Sequence, residues 1–570
     1  MHYTISYTSQ NTHFIDITLH LKIVNEEEIF LQLPAWRPGR YELANFAKNI
    51  QKFKVVNEKG DALPFKKNTK DSWSISTSNE KEIYVHYNYY AFQMDAGNSY
   101  LDESQLYINF INCLLYDKKR MQEKCLVKLK IPEDYLVACG LPQVEKNVFD
   151  AVDYYRLVDS PLMASKDLFH LSYEVEKYAF NIWVIGSVNT NWGWVLEKFR
   201  AFTKKQIEMM GGFPHPDYHF LFQILPYKHY HGVEHFNSTV ITIGPSEKFN
   251  RDEFLNNFLG VSSHELFHTW NAIRIRPKEL MPYDFSKENY FETGYVAEGF
   301  TTYYGDLFLV RSGVFEKNTY LKELNSLIYR HFDNNGRFNL SLTNSSYDLW
   351  IDGYVSGIPN RKVSIYVKGA IVALMLDLEI RTLTNFEKSL DDVIKQIWKH
   401  YGLKKHGYTS EDIKNAIEQV TGKNFDGFFH KYIFGNEPEE HKLGELLNIV
   451  GCKLVPVEGA WNENKFGFKI NQQDMITKIS AIQPDSNAEN LLSIDDEIIA
   501  LNDRKIENNL ADLIENLMEA ELTLFRNKKL KKIKLINSGE HYWRNYKLLQ
   551  NPSATPLEKQ QFEKWLECKW

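Results

Sequence analysis

The feature that most constrains this chain is that its hydrophobic period changes twice. Up to about residue 175, apolar and polar side chains alternate. Ile15, Ile17, Leu19, Leu21 and Ile23 interleave with Asp16, Thr18, His20 and Lys22. Ile83, Val85, Tyr87 and Tyr89 interleave with Tyr84, His86 and Asn88, and Val127, Leu129 and Ile131 repeat the pattern before Pro132. A period of two buries one face and wets the other, as antiparallel sheets do. From about 180 to 445 the apolar spacing becomes three and four, most clearly over 194–209, 254–273 and 370–383. From about 446 short strand-like pieces return at 453–457, 466–470, 476–482, 497–501, 522–525 and 532–536, with a helix-like stretch at 509–518. The tail ends in an amphipathic piece at 556–566. One layer cannot serve both periods, and 570 residues suffice for three to five domains at roughly 100–200 residues each. The expectation is a multidomain α+β chain. It comprises an N-terminal antiparallel β-sandwich-like domain (1–178), a mostly helical domain (179–445), a small C-terminal β-domain (446–540) and a tail (541–570).

Composition removes several function classes. With 67 basic and 74 acidic residues the formal charge is −7, so the basic footprint of a nucleic-acid binder is missing. Five cysteines, in no metal-like or redox-like spacing, argue against a disulfide framework and for a reducing compartment. The start, MHYTISYTSQ, has no basic cluster followed by an apolar stretch, and the most apolar run, 369–376, is far short of the roughly 20 residues a membrane helix needs. The expectation is a soluble, cytoplasmic protein that binds neither membrane nor nucleic acid.

The chemistry concentrates at Ser263-His264-Glu265-Leu266-Phe267-His268-Thr269-Trp270-Asn271. Residues i and i+4 of a helix share a face, so His264 and His268 can aim two imidazoles at one ion. Glu265 points elsewhere and is suited to take a proton from a metal-activated water. Catalytic zinc takes three protein ligands and leaves a position for water. The third candidate is Glu298, in Tyr295-Val-Ala-Glu298-Gly-Phe-Thr-Thr-Tyr-Tyr304, where a carboxylate in an apolar stretch needs a partner. Thr302, one turn on, could orient a ligand.

Three further segments each admit two readings. Glu234, in His231-Gly-Val-Glu234-His235, is either an anchor for a substrate amine or half of a loop salt bridge. Tyr366, in Tyr366-Val-Lys368-Gly369, is either a phenol donating to the oxyanion of a tetrahedral intermediate or a packed core residue. The loop Leu33-Pro-Ala-Trp36-Arg37-Pro38-Gly39-Arg40 is either a rigid turn around a buried Trp or a wall of a neighbouring domain's cleft. The polar stretch 334–360 reads as a long loop between helices.

Taken together, His264-Glu-Leu-Phe-His268-Thr-Trp-Asn271, Arg274-Ile-Arg276-Pro-Lys-Glu-Leu280, Glu298-Gly-Phe-Thr-Thr-Tyr-Tyr-Gly-Asp306 and Tyr366-Val-Lys-Gly369 resemble the glycyl aminopeptidase family of zinc metallopeptidases. The resemblance extends over nearly the whole chain, since 33–41 and Asp159-Ser-Pro161 are similar to that family's N-terminal β-domain and 479–502 is similar to a PDZ core. It implies a thermolysin-like gluzincin catalytic domain and a C-terminal PDZ domain. It implies Zn²⁺ on His264, His268 and Glu298, Glu265 as general base, Tyr366 on the oxyanion and Glu234 on the free α-amine of a peptide. It implies removal of small first residues, Gly or Ala, and a peptide ligand for the PDZ domain. Two departures stand out: His231-Gly232 replaces the family-like Gly-Gly, and Asn464-Lys-Phe-Gly467-Phe468 replaces the carboxylate loop of PDZ domains. Three alternatives remain open: a zinc endopeptidase with the same site, a non-catalytic PDZ peptide-binding protein on a degenerate peptidase scaffold, and a zinc hydrolase of a non-peptide substrate.

Overall fold

The computed structural model describes all 570 residues. The N-terminal region builds a seven-stranded sheet facing a four-stranded one, with a second four-stranded sheet beside them. The alternating residues behave as their period demands: in the strand Phe14–Lys22, Ile15, Ile17, Leu19 and Leu21 are buried and the intervening residues are not. One pairing departs from the antiparallel expectation. His2–Ser6 runs parallel to Cys125–Leu129, because the two strands are distant in sequence and need no hairpin.

The next sheet has five strands in the order Phe169–Val175, Tyr178–Ile185, Asp217–Ile224, Ser238–Gly244, His229–His235. Phe169–Val175 therefore belongs with the second region rather than the first. It forms a tight hairpin with Tyr178–Ile185 and has no partner in the N-terminal sheets. His229–His235 is the edge strand and runs antiparallel to its neighbour. Helices cover this sheet, and their apolar residues merge with it into one large core. The stretch 334–360 is not a structureless loop. It holds short helical turns at Asn335–Phe338, Leu342–Tyr347 and Leu349–Asp352, because Leu342 and Leu349 bury themselves and Ser341 caps the second turn.

The third region is an antiparallel sheet from Phe468 to Ile536 with the short helix Leu510–Ile514 and its own small core. Cys452–Val457 lies outside it, paired instead with Asn545–Gln550. The last helix, Pro556–Leu566, inserts Phe562, Trp565 and Leu566 into the helical core, so residues 541–570 are a structural return rather than a loose tail. All five cysteines are unpaired. No helix is long and apolar enough to cross a membrane.

Candidate active site

The helix Asp252–Phe267 is held by a buried face that includes Phe254, Phe258, Leu259 and Leu266. It is shorter than its apolar period suggested. His268 is its C-terminal cap, and the chain then turns, with Ala272 at φ +92° and the Ile273 amide donating to the His268 carbonyl. The turn matters chemically. His268 Nδ1 lies 2.9 Å from the Asn271 carbonyl oxygen, which can only accept. Nδ1 therefore carries the proton, and the lone pair of Nε2 is free for a metal. Asn271 is fixed in turn, its side-chain amide donating to the Val296 carbonyl at 2.7 Å and to Thr301 Oγ1 at 2.9 Å.

Glu298 sits in a π-helical turn, Tyr295–Phe300, that runs into the helix Thr301–Arg311. Wide turns of this kind recur at functional sites. The turn packs against the start of the helix Val367–Leu383 through two glycines, and a methyl placed on Gly299 would lie 2.4 Å from the Gly369 Cα. That contact brings Tyr366, which immediately precedes the helix, to the Glu298 side of the cleft. Thr302 takes no part in orienting a ligand, since its hydroxyl donates to the Glu298 carbonyl, as helical threonines do. Thr301, hydrogen-bonded by Asn271, is the residue nearer the His268 ring.

His264 Nε2 and His268 Nε2 are 3.0 Å apart, and Glu298 Oε2 is 3.4 Å from His268 Nε2 and 4.0 Å from His264 Nε2. Tetrahedral coordination with bonds of about 2.0–2.2 Å needs donor atoms roughly 3.3 Å apart. The three side chains thus fit one small divalent cation, and two neutral imidazoles with a carboxylate are its usual donors. Glu265 and Glu234 lie beside them, with donor atoms of Glu234, Glu265 and His268 all within 4.8 Å of one another. Three buried carboxylates share this space, and no lysine or arginine nitrogen lies within 4.0 Å of any of them. That is an electrostatic debt that only a bound cation or protons can relieve.

Ionisation reflects this. Burial, opposed by His268 and reinforced by Glu234 and Glu298, pushes the Glu265 carboxyl up to about 8. Burial also raises Glu234. Tyr366 is raised well above the ordinary phenol value, first by burial and then by Glu298, so it keeps its proton and can donate it in a hydrogen bond.

The edge strand presses directly on this group. A Cβ on Gly232 would fall 2.2 Å from Glu265 Oε1, so only glycine lets Glu265 reach the site. Gly39 of the N-terminal region, at φ +75°, lies close against Glu234, a Cβ there falling 2.7 Å from Glu234 Oε2. Both readings of the 33–40 loop hold. Trp36 is fully buried and donates to the Asp284 carbonyl, while Gly39 abuts Glu234 in the cleft of the neighbouring domain. For Glu234, the loop salt bridge is absent and the carboxylate joins the cluster. Thr301 carries no signal of its role in the sequence, and Gly39 none beyond its place in the 33–40 loop. A hydrogen-bonding residue just past the second His was the one available signal, for Asn271.

Two family models match the chain: the peptidase M61 N-terminal domain over residues 2–166 and M61 glycyl aminopeptidase over residues 257–372. The second covers His264, Glu265, His268, Glu298 and Tyr366. The crystal structure of an aminopeptidase N family protein from Idiomarina loihiensis is similar at 25% identity, covering 99% of each chain, with a TM-score of 0.90. An M1 zinc metallopeptidase from Deinococcus radiodurans aligns at 12% identity over 77% of this chain and 94% of that one, with a TM-score of 0.48. No curated protein matches the sequence. With both domain models matched in order along one chain, and a similar structure that superposes from end to end, this protein carries an M61-type N-terminal domain and an M61 glycyl aminopeptidase domain and is a metallopeptidase.

Proposed function

We propose that this protein is a zinc aminopeptidase that removes the first residue of peptides carrying a free N-terminus. The observation that carries the reading is the cluster itself, in which two imidazoles and one carboxylate converge with a second and a third carboxylate alongside. His264, His268 and Glu298 would hold Zn²⁺, which when bound acidifies a water and polarises the scissile carbonyl. Glu265 accepts the proton of the attacking water and hands it to the leaving amine. Tyr366 donates its phenolic proton in a hydrogen bond to the developing oxyanion. Glu234 receives the α-ammonium group of the substrate, which limits cleavage to the first peptide bond. Gly39, packed on Glu234, leaves little depth there, and this supports a preference for small first residues such as Gly or Ala.

We divide the chain into the N-terminal β-domain, a thermolysin-like catalytic domain and a C-terminal PDZ domain. Support for the last is an antiparallel sheet with one short helix, in which Gly467, at φ +79°, precedes the edge strand Phe468–Gln473. Its candidate ligand is a peptide C-terminus added to that edge. Lys469 on the same strand pairs with Asp333 of the helical domain, so part of the edge already serves as an internal contact.

A panel of aminoacyl-nitroanilides and their N-acetylated counterparts, assayed with and without chelator, tests the proposal. The expected result is hydrolysis of free-amine substrates only, fastest for Gly and Ala, abolished by chelator and restored by zinc. Equal cleavage of the acetylated set would identify an endopeptidase. No cleavage by zinc-loaded protein would leave a peptide-binding scaffold.

A further inference from the structure

A cavity of about 850 Å³ lies between the N-terminal and helical regions, and none of the metal-type residues lines it. Its volume is within the usual range for small-molecule sites. Four arginines and one lysine line it against two aspartates, so it carries a clear cationic excess. The guanidiniums of Arg156 and Arg274 stack on one ring, Phe236, at 4.3 and 4.8 Å, and Arg276 stacks on Tyr283 at 4.3 Å. None of the three has a carboxylate oxygen within 4.0 Å. Arg156 donates to neutral acceptors, Gly140, Ser160 and Asn237, and Arg274 to the Thr269 carbonyl and the His215 ring.

A partly buried guanidinium without a counter-ion is expensive, and three around one cavity are more so. The cost is visible in Arg274, which burial and then Arg276 and Arg156 lower to about 9, and in His215, which burial and then Arg274 and Arg156 lower to about 3. A second observation points the same way. His235 lines the cavity, is almost fully buried, and its Nε2 has no hydrogen-bond partner, while its Nδ1 is held by Asp159 at 3.0 Å. With Nδ1 taken by Asp159, Nε2 is the polar atom of that ring left for a ligand in the cavity. The remaining wall is largely apolar, with Phe213, Phe285 and Trp398 among its members.

We propose that this cavity is a second ligand site, which takes an organic anion, a carboxylate or phosphate monoester carried on an apolar or aromatic body. Arg274 and Arg156 provide the planar donors that match such an oxyanion, and the aromatic wall takes the body.

The test is calorimetric titration of the full-length, zinc-loaded protein saturated with glycine hydroxamate, which keeps added anions off the metal. The probes are N-acetyl-phenylalanine, its uncharged amide, phenyl phosphate and inorganic phosphate. One acid is expected to bind with one site per chain and a Kd below about 1 mM, with the amide at least tenfold weaker. The tighter of the carboxylate and the phosphate monoester identifies the anion. Arg274→Gln should weaken that binding about tenfold or more. Leu403→Glu, an exposed change on the cavity lining that adds a repelling charge, should weaken it in a protein whose fold is not at risk. The proposal is overturned if the amide binds as tightly as the acid, if no organic anion binds, if inorganic phosphate binds as tightly as the better organic anion, or if Leu403→Glu leaves the affinity unchanged. Because the readout is binding with the metal blocked, these outcomes are independent of whether the protein is an aminopeptidase.

Discussion

Two buried ionic clusters lie in the helical region, and they are built on opposite principles. In one, Glu439 meets Lys368 Nζ at 2.8 Å and His331 Nε2 at 3.0 Å, with Arg337 Nη1 at 3.6 Å. Burial opposes its ionisation, yet His331 and Lys368 hold it well below the ordinary carboxylate range. In the other, Glu234, Glu265 and Glu298 share two imidazoles and no lysine or arginine, and Glu265 is pushed up to about 8. Lys368 and Tyr366 flank the first residue of a single helix, so the two clusters meet at its N-terminal turn. The difference separates a lock from a site. A carboxylate buried with its own cations is finished when the chain folds, whereas carboxylates buried without them are completed by something that arrives later.

Glu265→Gln strikes the unfinished cluster hardest. The amide keeps the shape but cannot accept a proton, so kcat/KM on aminoacyl-nitroanilides should fall by about 10³–10⁴ while zinc content stays at one per chain. A variant with near-normal turnover would erase the distinction drawn between the clusters. Glu439→Gln strikes the finished one. It leaves the buried Lys368 without its carboxylate and should cost about 3–5 kcal/mol, read as a lowered urea midpoint with zinc still bound. If the two variants exchanged phenotypes, the assignment of lock and site would be reversed.

Tyr366→Phe probes the junction between them. Loss of one oxyanion donor should lower kcat by about 10²–10³, with the urea midpoint little changed. A loss under tenfold would make Tyr366 a packing residue of the same helix that carries Lys368.

The unfinished cluster was far more legible in the sequence than the finished one. Two His on one helical face, and a carboxylate in an apolar run, break local rules in ways a period or a motif exposes. The π-turn at Glu298 and the early end of the helix at Phe267 were not legible, because each depends on packing between distant segments. Gly299 meets Gly369, and Asn271 reaches Thr301, across dozens of residues. The Glu439 cluster joins residues 331, 337, 368 and 439, each ordinary in its own stretch, and no local pattern announces it. The loop at 33–40 was ambiguous for the same reason. Its Trp fills a core and its Gly abuts Glu234, and only the docking of one region on another reveals the second role.

The finished cluster also carries a pH signature, smaller than the mutational effects but specific in sign. Glu439 is ionised in the folded protein down to a pH well below 4.5, the ordinary glutamate value near which it titrates once unfolded. Below 4.5 the unfolded chain therefore binds a proton that the folded chain refuses, and stability falls as pH falls. The contribution is fully present above 4.5 and is lost as pH drops toward the folded value, at a limiting slope of about 1.4 kcal/mol per pH unit. Glu439→Gln removes this titration. The stability gap between wild type and variant should be flat from pH 7 to 5 and should narrow between pH 4.5 and 3. Urea midpoints at half-unit steps measure it. A gap that stayed constant to pH 3, or widened, would mean that Glu439 is not held by its neighbours' charges, and the contrast with the cation-poor cluster would lose its electrostatic basis.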